Sequence, residues 1–165
     1  GHRVINIRAN GNYTHGIYLA GISHIVKDCS ANNNSMTGIF AAGNGAIIIG
    51  NAVRDNLNYG IYTLSGSTII DNNAYSNRQD GIHAGAYSII DRNTAYNNSY
   101  SGIYPGIGST ITGNTASGNW RYGIDLYYGT SLVDRNTAVD NNRSAGAYTN
   151  IRACASCTMG LNHAP

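Results

Sequence analysis

The sequence contains no glutamate, a single lysine, one phenylalanine and two prolines. Without Glu it is poor in helix formers, so a helix-rich fold is not expected. No apolar run approaches the roughly 18 to 20 residues that a membrane-spanning helix requires, and a soluble chain is expected. Neither sign of charge dominates: nine Arg and one Lys stand against eight Asp, scattered along the chain, for a formal charge of +2. No basic stripe of the kind nucleic-acid binders use is present, so neither nucleic acid nor a membrane is an expected partner. The start, Gly1-His2-Arg3, lacks an initiator Met and a secretory apolar segment, which fits a processed mature chain, an expression product or an excised fragment.

What the sequence has instead is 21 Gly, 13 Tyr and 23 Asn in 165 residues, enough for one domain with a real interior. Asn and Gly favour tight corners, while Ile, Val, Ala and Tyr suit pleated surfaces. A Gly-Ile pair recurs at Gly16, Gly38, Gly60, Gly81, Gly102 and Gly123, with a degenerate seventh at Gly146-Ala147; the steps are 22, 22, 21, 21, 21 and 23 residues. An aliphatic column keeps the same spacing to within a residue: Val4, Ile25, Ile48, Ile69, Ile90, Ile111 and Val133. So does a small column of Ala9, Ser30, Val53, Ala74, Ala95, Ala116 and Ala138. An amide column holds Asn12, Asn33, Asn56, Asn77, Asn98, Asn119 and Asn141, and a partial one holds Asn51, Asn72, Asn93, Asn114 and Asn136.

No single repeat can bury its own Ile and Ala, so consecutive repeats must stack, each column lying over itself. The expected fold is therefore all-β: a parallel β-helix of about seven coils of 21–23 residues over residues 1–150. Its rungs lie roughly 4.8 Å apart, giving a rod of about 34 Å. Asn at a corner can take up left-handed backbone and bond the matching amide in the next coil. The Ser column (Ser23, Ser67, Ser88, Ser109, Ser131) reads as small interior filler, because its neighbours in the pattern are Ile and Ala rather than a base. Residues 151–165 leave the pattern and read as a C-terminal cap, whereas nothing equivalent covers the first coil. End-to-end self-association through that uncapped coil is the assembly alternative.

Coils of this length resemble the right-handed parallel β-helix of the pectate-lyase-like superfamily, and Gly108–Asn119 resembles the repeat of bacterial secreted β-helix proteins. The resemblance implies a secreted or cell-surface protein whose partner is a polysaccharide or other glycan. It also implies, as an alternative, a lyase or C5-epimerase acting on uronic-acid polymers. The segment Asp-Pro-His-Glu of mannuronan epimerases and the acidic segments of polygalacturonases are missing, and the coils are too short to carry long cleft-building loops. The reading therefore leans away from catalysis, with His83 and Tyr104 as the candidate acid/base pair and Arg78, Asp80 or Arg121 beside them.

Cys154-Ala-Ser-Cys157 lies in the expected cap, and Cys29 lies about five rungs away, beyond the roughly 4.4 to 6.8 Å that a disulfide spans. The CxxC reads as a local disulfide, as free thiols, as half a metal site near His163, or as a redox motif. No second CxxC, zinc-spaced His pair or thioredoxin-like context accompanies it, which favours a structural Cys154–Cys157 staple. Calcium at Asp71, Asp91 and Asp134 is weakened by Arg92 and Arg135 next to them, so ion pairs are expected there and no metal or cofactor.

The residue two after each Gly is the outward column: Tyr18, Phe40, Tyr62, His83, Tyr104, Asp125 and Tyr148. Aligned rings on a flat outer face suit stacking against a sugar polymer, so Tyr18, Tyr62, His83, Tyr104 and Asp125 are the candidate ligand-binding residues. The structural alternative is that these side chains stack on one another for stability. The expectation is a non-catalytic polysaccharide-binding or structural surface module.

Overall fold

The computed structural model describes residues 1–143 and 149–165. Among these residues, 21 strands of two to four residues follow one another through tight corners. No helix long and apolar enough to cross a membrane occurs among them. The first strand, Arg3–Ile5, pairs in parallel with Ile25–Lys27, and from Ile17–Ala20 onward strands pair in parallel three apart in the chain, giving three sheets of eight, seven and six strands. The chain is the parallel β-helix that its period predicts. Gly146, Ala147 and Tyr148 lie outside the described residues.

The interior is built from columns. Ile39, Ile61, Ile82, Ile103 and Ile124 stack in one, Ile48, Ile69, Ile90 and Ile111 in a second, and Ala74, Ala95 and Ala116 in a third, all fully buried. Burying each Ile against water is worth about 1.5 to 3 kcal/mol, so the columns supply the drive to stack.

The second coil departs from the expected register by one residue. Val4 pairs with Val26 and Val26 with Ile48, so Val26 points inward in place of Ile25. Likewise Ala31 replaces Ser30 opposite Val53, Asn34 replaces Asn33 in the amide column, and the inward place of Ser23 goes to His24. Ile25-Val26, Ser30-Ala31 and Asn33-Asn34 each hold two neighbours of similar type, and a one-residue slip turns every side chain of a strand to the other face. The inward Ser67, Ser88, Ser109 and Ser131 are buried as expected, whereas Ser23 is exposed.

Both amide columns are ladders. In the ladder through Asn72, Asn93 and Asn114, each amide Nδ2 and backbone N–H donates to the Oδ1 one coil on, at 2.9–3.0 Å. The left-handed residue is not the ladder Asn but the one before it: Gly50, Asp71, Arg92, Gly113 and Arg135 have φ between 52° and 66°. Turn and ladder are thus adjacent functions of two residues rather than one.

Cys29, buried and free, occupies the rung of this ladder next to Asn51. Its Sγ lies 3.1 Å from Lys27 O and 3.6 Å from Val4 O, the carbonyls that correspond to those Asn72 Nδ2 meets at Ile70 and Ile48. Cys29→Asn therefore completes the ladder and is expected to raise the unfolding free energy by about 1 kcal/mol in urea denaturation. A loss of stability would show that this rung does not accommodate an amide.

Residues 151–165 leave the 21–23-residue period but keep the parallel pairing. Ile151–Arg152 adds to the sheet strand Ile124–Asp125, Thr158–Met159 adds to Leu132–Asp134, and Asn150 and Asn162 extend the two ladders. The segment covers the seventh coil as an irregular further turn. The expected cap is thus part of the solenoid, because parallel pairing satisfies the backbone that a detached cap would leave open. Cys154 and Cys157 in it form a disulfide.

Candidate functional site

The seven-stranded sheet presents the outward column. Tyr18, Phe40, Tyr62, His83 and Tyr104 follow in register, one per coil. Phe40 and Tyr62 stack at 4.9 Å and 14°, and His83 and Tyr104 at 4.7 Å and 13°. The strand spacing of about 4.8 Å is close to ring-stacking distance, and the column alternates: these two pairs lie face to face, whereas Tyr18–Phe40 is tilted at 59° and Tyr62–His83 is edge-to-face at 87°. Ring faces are therefore largely consumed within the column, and the flat platform expected for a sugar is replaced by a row of ring edges. Tyr18, in the first of these strands, remains half exposed.

Asp125 also differs from its expected exposure. It is 5% exposed, because Arg152 comes over it from the next turn. Two guanidinium nitrogens of Arg152 approach Asp125 Oδ1 at 2.5 Å, and the cation lies 4.4 Å from the ring centres of both Tyr122 and Tyr127. Arg152 thus takes the register place after Asp125, where the sequence suggested Tyr148.

A second column runs beside the first, from the residue just before each Gly. Its Asp80 is buried; Oδ1 accepts Ser101 N–H at 2.9 Å and Oδ2 meets His83 Nδ1 at 3.1 Å. Its Tyr59 contacts both Tyr62 and His83, with centroids 5.2 and 4.9 Å apart. Ser101 Oγ reaches Asp125 Oδ2 at 3.4 Å, which joins the His83 and Arg152 ends.

Beside these columns lies a groove of about 380 Å³, lined by His83, Tyr104 and Asp125 of the first, Tyr59 and Asp80 of the second, and Tyr100 and Arg121 from the position two before each Gly. Arg121 lies 3.6 Å over the Tyr100 ring. Tyr18 and Tyr62 do not line the groove, and neither does Arg78. The walls come from the corner column and the last turn, so no long loops are needed. Burial pushes the Tyr104 phenol up, assisted by Asp125 and Asp80, and burial with Asp80 does the same for Tyr59. Both phenols hold their protons and can donate. Burial also raises the Asp125 carboxyl against the pull of Arg152; burial pushes Arg152 down, but Asp125 more than restores its charge.

Sequence reasoning placed His83, Tyr104 and Asp125 together and missed Tyr59, Tyr100, Tyr127 and Arg152. The position before each Gly varies strongly (Tyr59, Asp80, Ser101, Tyr122), and that variation was the available signal. Elsewhere Arg92 pairs with Asp71 and Asp91, and Arg135 with Asp134, on the exposed rod surface.

A family model described as a right-handed β-helix region matches residues 1–144. The chain belongs to that family. This right-handed β-helix is similar in fold to the periplasmic alginate epimerase AlgG, with a TM-score of 0.72 and 14% identity over 98% of this chain and 46% of that one. A double mutant of AlgG superposes with a TM-score of 0.70 at 24% identity, covering 85% of this chain and 35% of the other. The A-module of the Azotobacter vinelandii mannuronan C-5 epimerase AlgE4 gives 0.71 at 13%, covering 98% and 59%. The β-helix spans between about a third and three-fifths of these structures' lengths, and the likeness is one of fold. No curated protein sequence matches it.

Proposed function

We propose that this right-handed β-helix acts outside the cytoplasm on an acidic polysaccharide, which it binds in the groove beside His83 and Tyr104. The observation that carries the reading is the pairing of two guanidinium groups, Arg121 and Arg152, with the polar ring edges of Tyr59, His83 and Tyr104 around one groove. Guanidinium groups suit carboxylates, and phenol edges suit sugar hydroxyls. Fold neighbours that are alginate epimerases support a uronic-acid polymer as the ligand.

A second reading adds chemistry to binding, and the Asp80–His83 contact favours it. With Nδ1–H donated to the buried carboxylate, Nε2 is the acceptor on a ring that lines the groove. The proton at C5 of a uronate is acidified by the adjacent carboxyl group when a guanidinium neutralises it. His83 Nε2 would take that proton, and the Tyr104 phenol, which keeps its own, would return one for epimerisation.

One titration series tests both readings. Oligomannuronate and oligogalacturonate are added in heavy water and followed by calorimetry and proton NMR. Binding is expected, with Arg121→Ala and Arg152→Ala each weakening it about tenfold; no heat with either ligand overturns the proposal. Loss of the H5 signal by exchange, abolished in His83→Gln, establishes the proton transfer, and binding without exchange rules it out.

A further inference from the structure

The turn that delivers Arg152 is closed differently from the matching corner of three regular coils. After the groove strand, Ser67 Oγ donates to Leu64 O at 2.7 Å, Ser88 Oγ to Gly85 O at 2.8 Å and Ser109 Oγ to Gly106 O at 2.8 Å. Each is a clamp from a residue to the carbonyl three before it. Thr158 pairs with Leu132, so Cys157 follows Ser131 in the serine column. Cys154 stands three residues before it, in the place of the clamped carbonyl. The Cys154–Cys157 disulfide, with Cα atoms 5.2 Å apart and Cys157 N–H on Cys154 O at 3.1 Å, is the covalent form of that corner.

The position explains the need. Ile151–Arg152 is a two-residue strand, and among the described residues it pairs with another two-residue strand, Ile124–Asp125. A strand this short has few backbone hydrogen bonds of its own to hold it in place. Arg152 runs through Ala153 directly into Cys154, so the closed corner sets where the guanidinium root lies. The guanidinium then reaches Asp125 and the rings of Tyr122 and Tyr127.

We propose that the Cys154–Cys157 disulfide is a redox brace for Arg152: oxidised, it keeps the guanidinium in the groove for an acidic ligand, and reduced, it releases it. This adds regulation to the acidic-polysaccharide reading and rests on it for the binding readout. Reduction breaks one S–S bond with two electrons and two protons and leaves two thiols. A water-soluble phosphine supplies the electrons and takes an oxygen atom from water, whose protons end on sulfur.

The test titrates oligogalacturonate into wild type and Arg152→Ala, each oxidised and phosphine-reduced. Reduction is expected to weaken wild-type binding about tenfold, as Arg152→Ala does, and to change Arg152→Ala no further. Equal affinity of oxidised and reduced wild type overturns the brace. The Arg152 Nε–Hε NMR signal reads the brace without any ligand: displaced by Asp125 when oxidised, it should move to the solvent-averaged position on reduction. If neither state binds the ligand, the functional reading fails, and the brace is then decided by that signal alone; an unmoved signal overturns it. An unchanged amide spectrum for the first six coils shows that the rod itself is intact.

Discussion

Asn93→Ala is expected to lower the unfolding free energy by about 4 kcal/mol, a large part of the roughly 5 to 15 kcal/mol that holds a domain folded. The Asn93 amide donates to Ile69 O at 2.8 Å, Asp91 O at 3.1 Å and Asn114 Oδ1 at 3.0 Å. Its Oδ1 accepts both the backbone and the side-chain N–H of Asn72. The site is buried, so truncation strands donors and acceptors where water does not reach them. Urea denaturation checks it; a loss below about 1 kcal/mol would mean the ladder is packing rather than hydrogen bonding.

Asn93→Asp sharpens the same point through pH. The carboxyl keeps the acceptor but turns a second oxygen toward the carbonyls of Ile69 and Asp91, which favours its protonated form and raises its pKa in the folded state. A folded-state pKa above the unfolded value of about 3.9 gives stability that is fully present below that value and lost as pH rises through the folded pKa. This variant should therefore approach wild type in acid and fall away from it toward neutrality.

Gly102→Ala is expected to cost about 3 kcal/mol and to disturb the groove. A Cβ at Gly102 would lie 2.7 Å from Asn119 Nδ2, 2.7 Å from Gly123 O and 3.1 Å from Ala116 Cβ. Gly123 O is backbone of the next coil, and the Asn119 amide is held by Ala95 O and Asn141 Oδ1, so neither yields without shifting a rung. Tyr104 and Ser101 flank this residue, so oligouronate affinity should drop with stability. Gly66 supplies the contrast: its φ is 68° and a Cβ there meets nothing within 4 Å. Gly66→Ala should cost only the left-handed backbone term, about 1 to 2 kcal/mol. Similar losses at the two sites, in thermal or urea unfolding, would refute the close-approach explanation for the Gly-Ile column.

The interior was readable because every coil must fill the same place with the same kind of side chain. Ile69, Ile90 and Ile111, or Asn72, Asn93 and Asn114, repeat for that reason. Where two neighbours were equally suitable, as at Ile25-Val26 and Asn33-Asn34, the repeat was ambiguous, and only the pairing to Ile48 and Asn56 resolved it. Of the candidate site, His83, Tyr104 and Asp125 were visible as departures from the repeat on one face. Their partners were harder to see. Tyr59 and Asp80 sit at a corner whose neighbours are set by how the coil closes, and Arg152 belongs to the turn where the period breaks down.

The sequence by itself determined the solenoid, its period, its stacked interior and the face on which the coils differ, because burial and amide pairing impose one residue type per column. Tertiary structure alone decided that the rings of that face pack on one another, some face to face and some edge-on, that Asp125 lies under Arg152, and that residues 151–165 continue the rod. Those outcomes depend on a strand spacing of about 4.8 Å and on which side chains an irregular last turn brings across it, and neither is written in the spacing of residues along the chain.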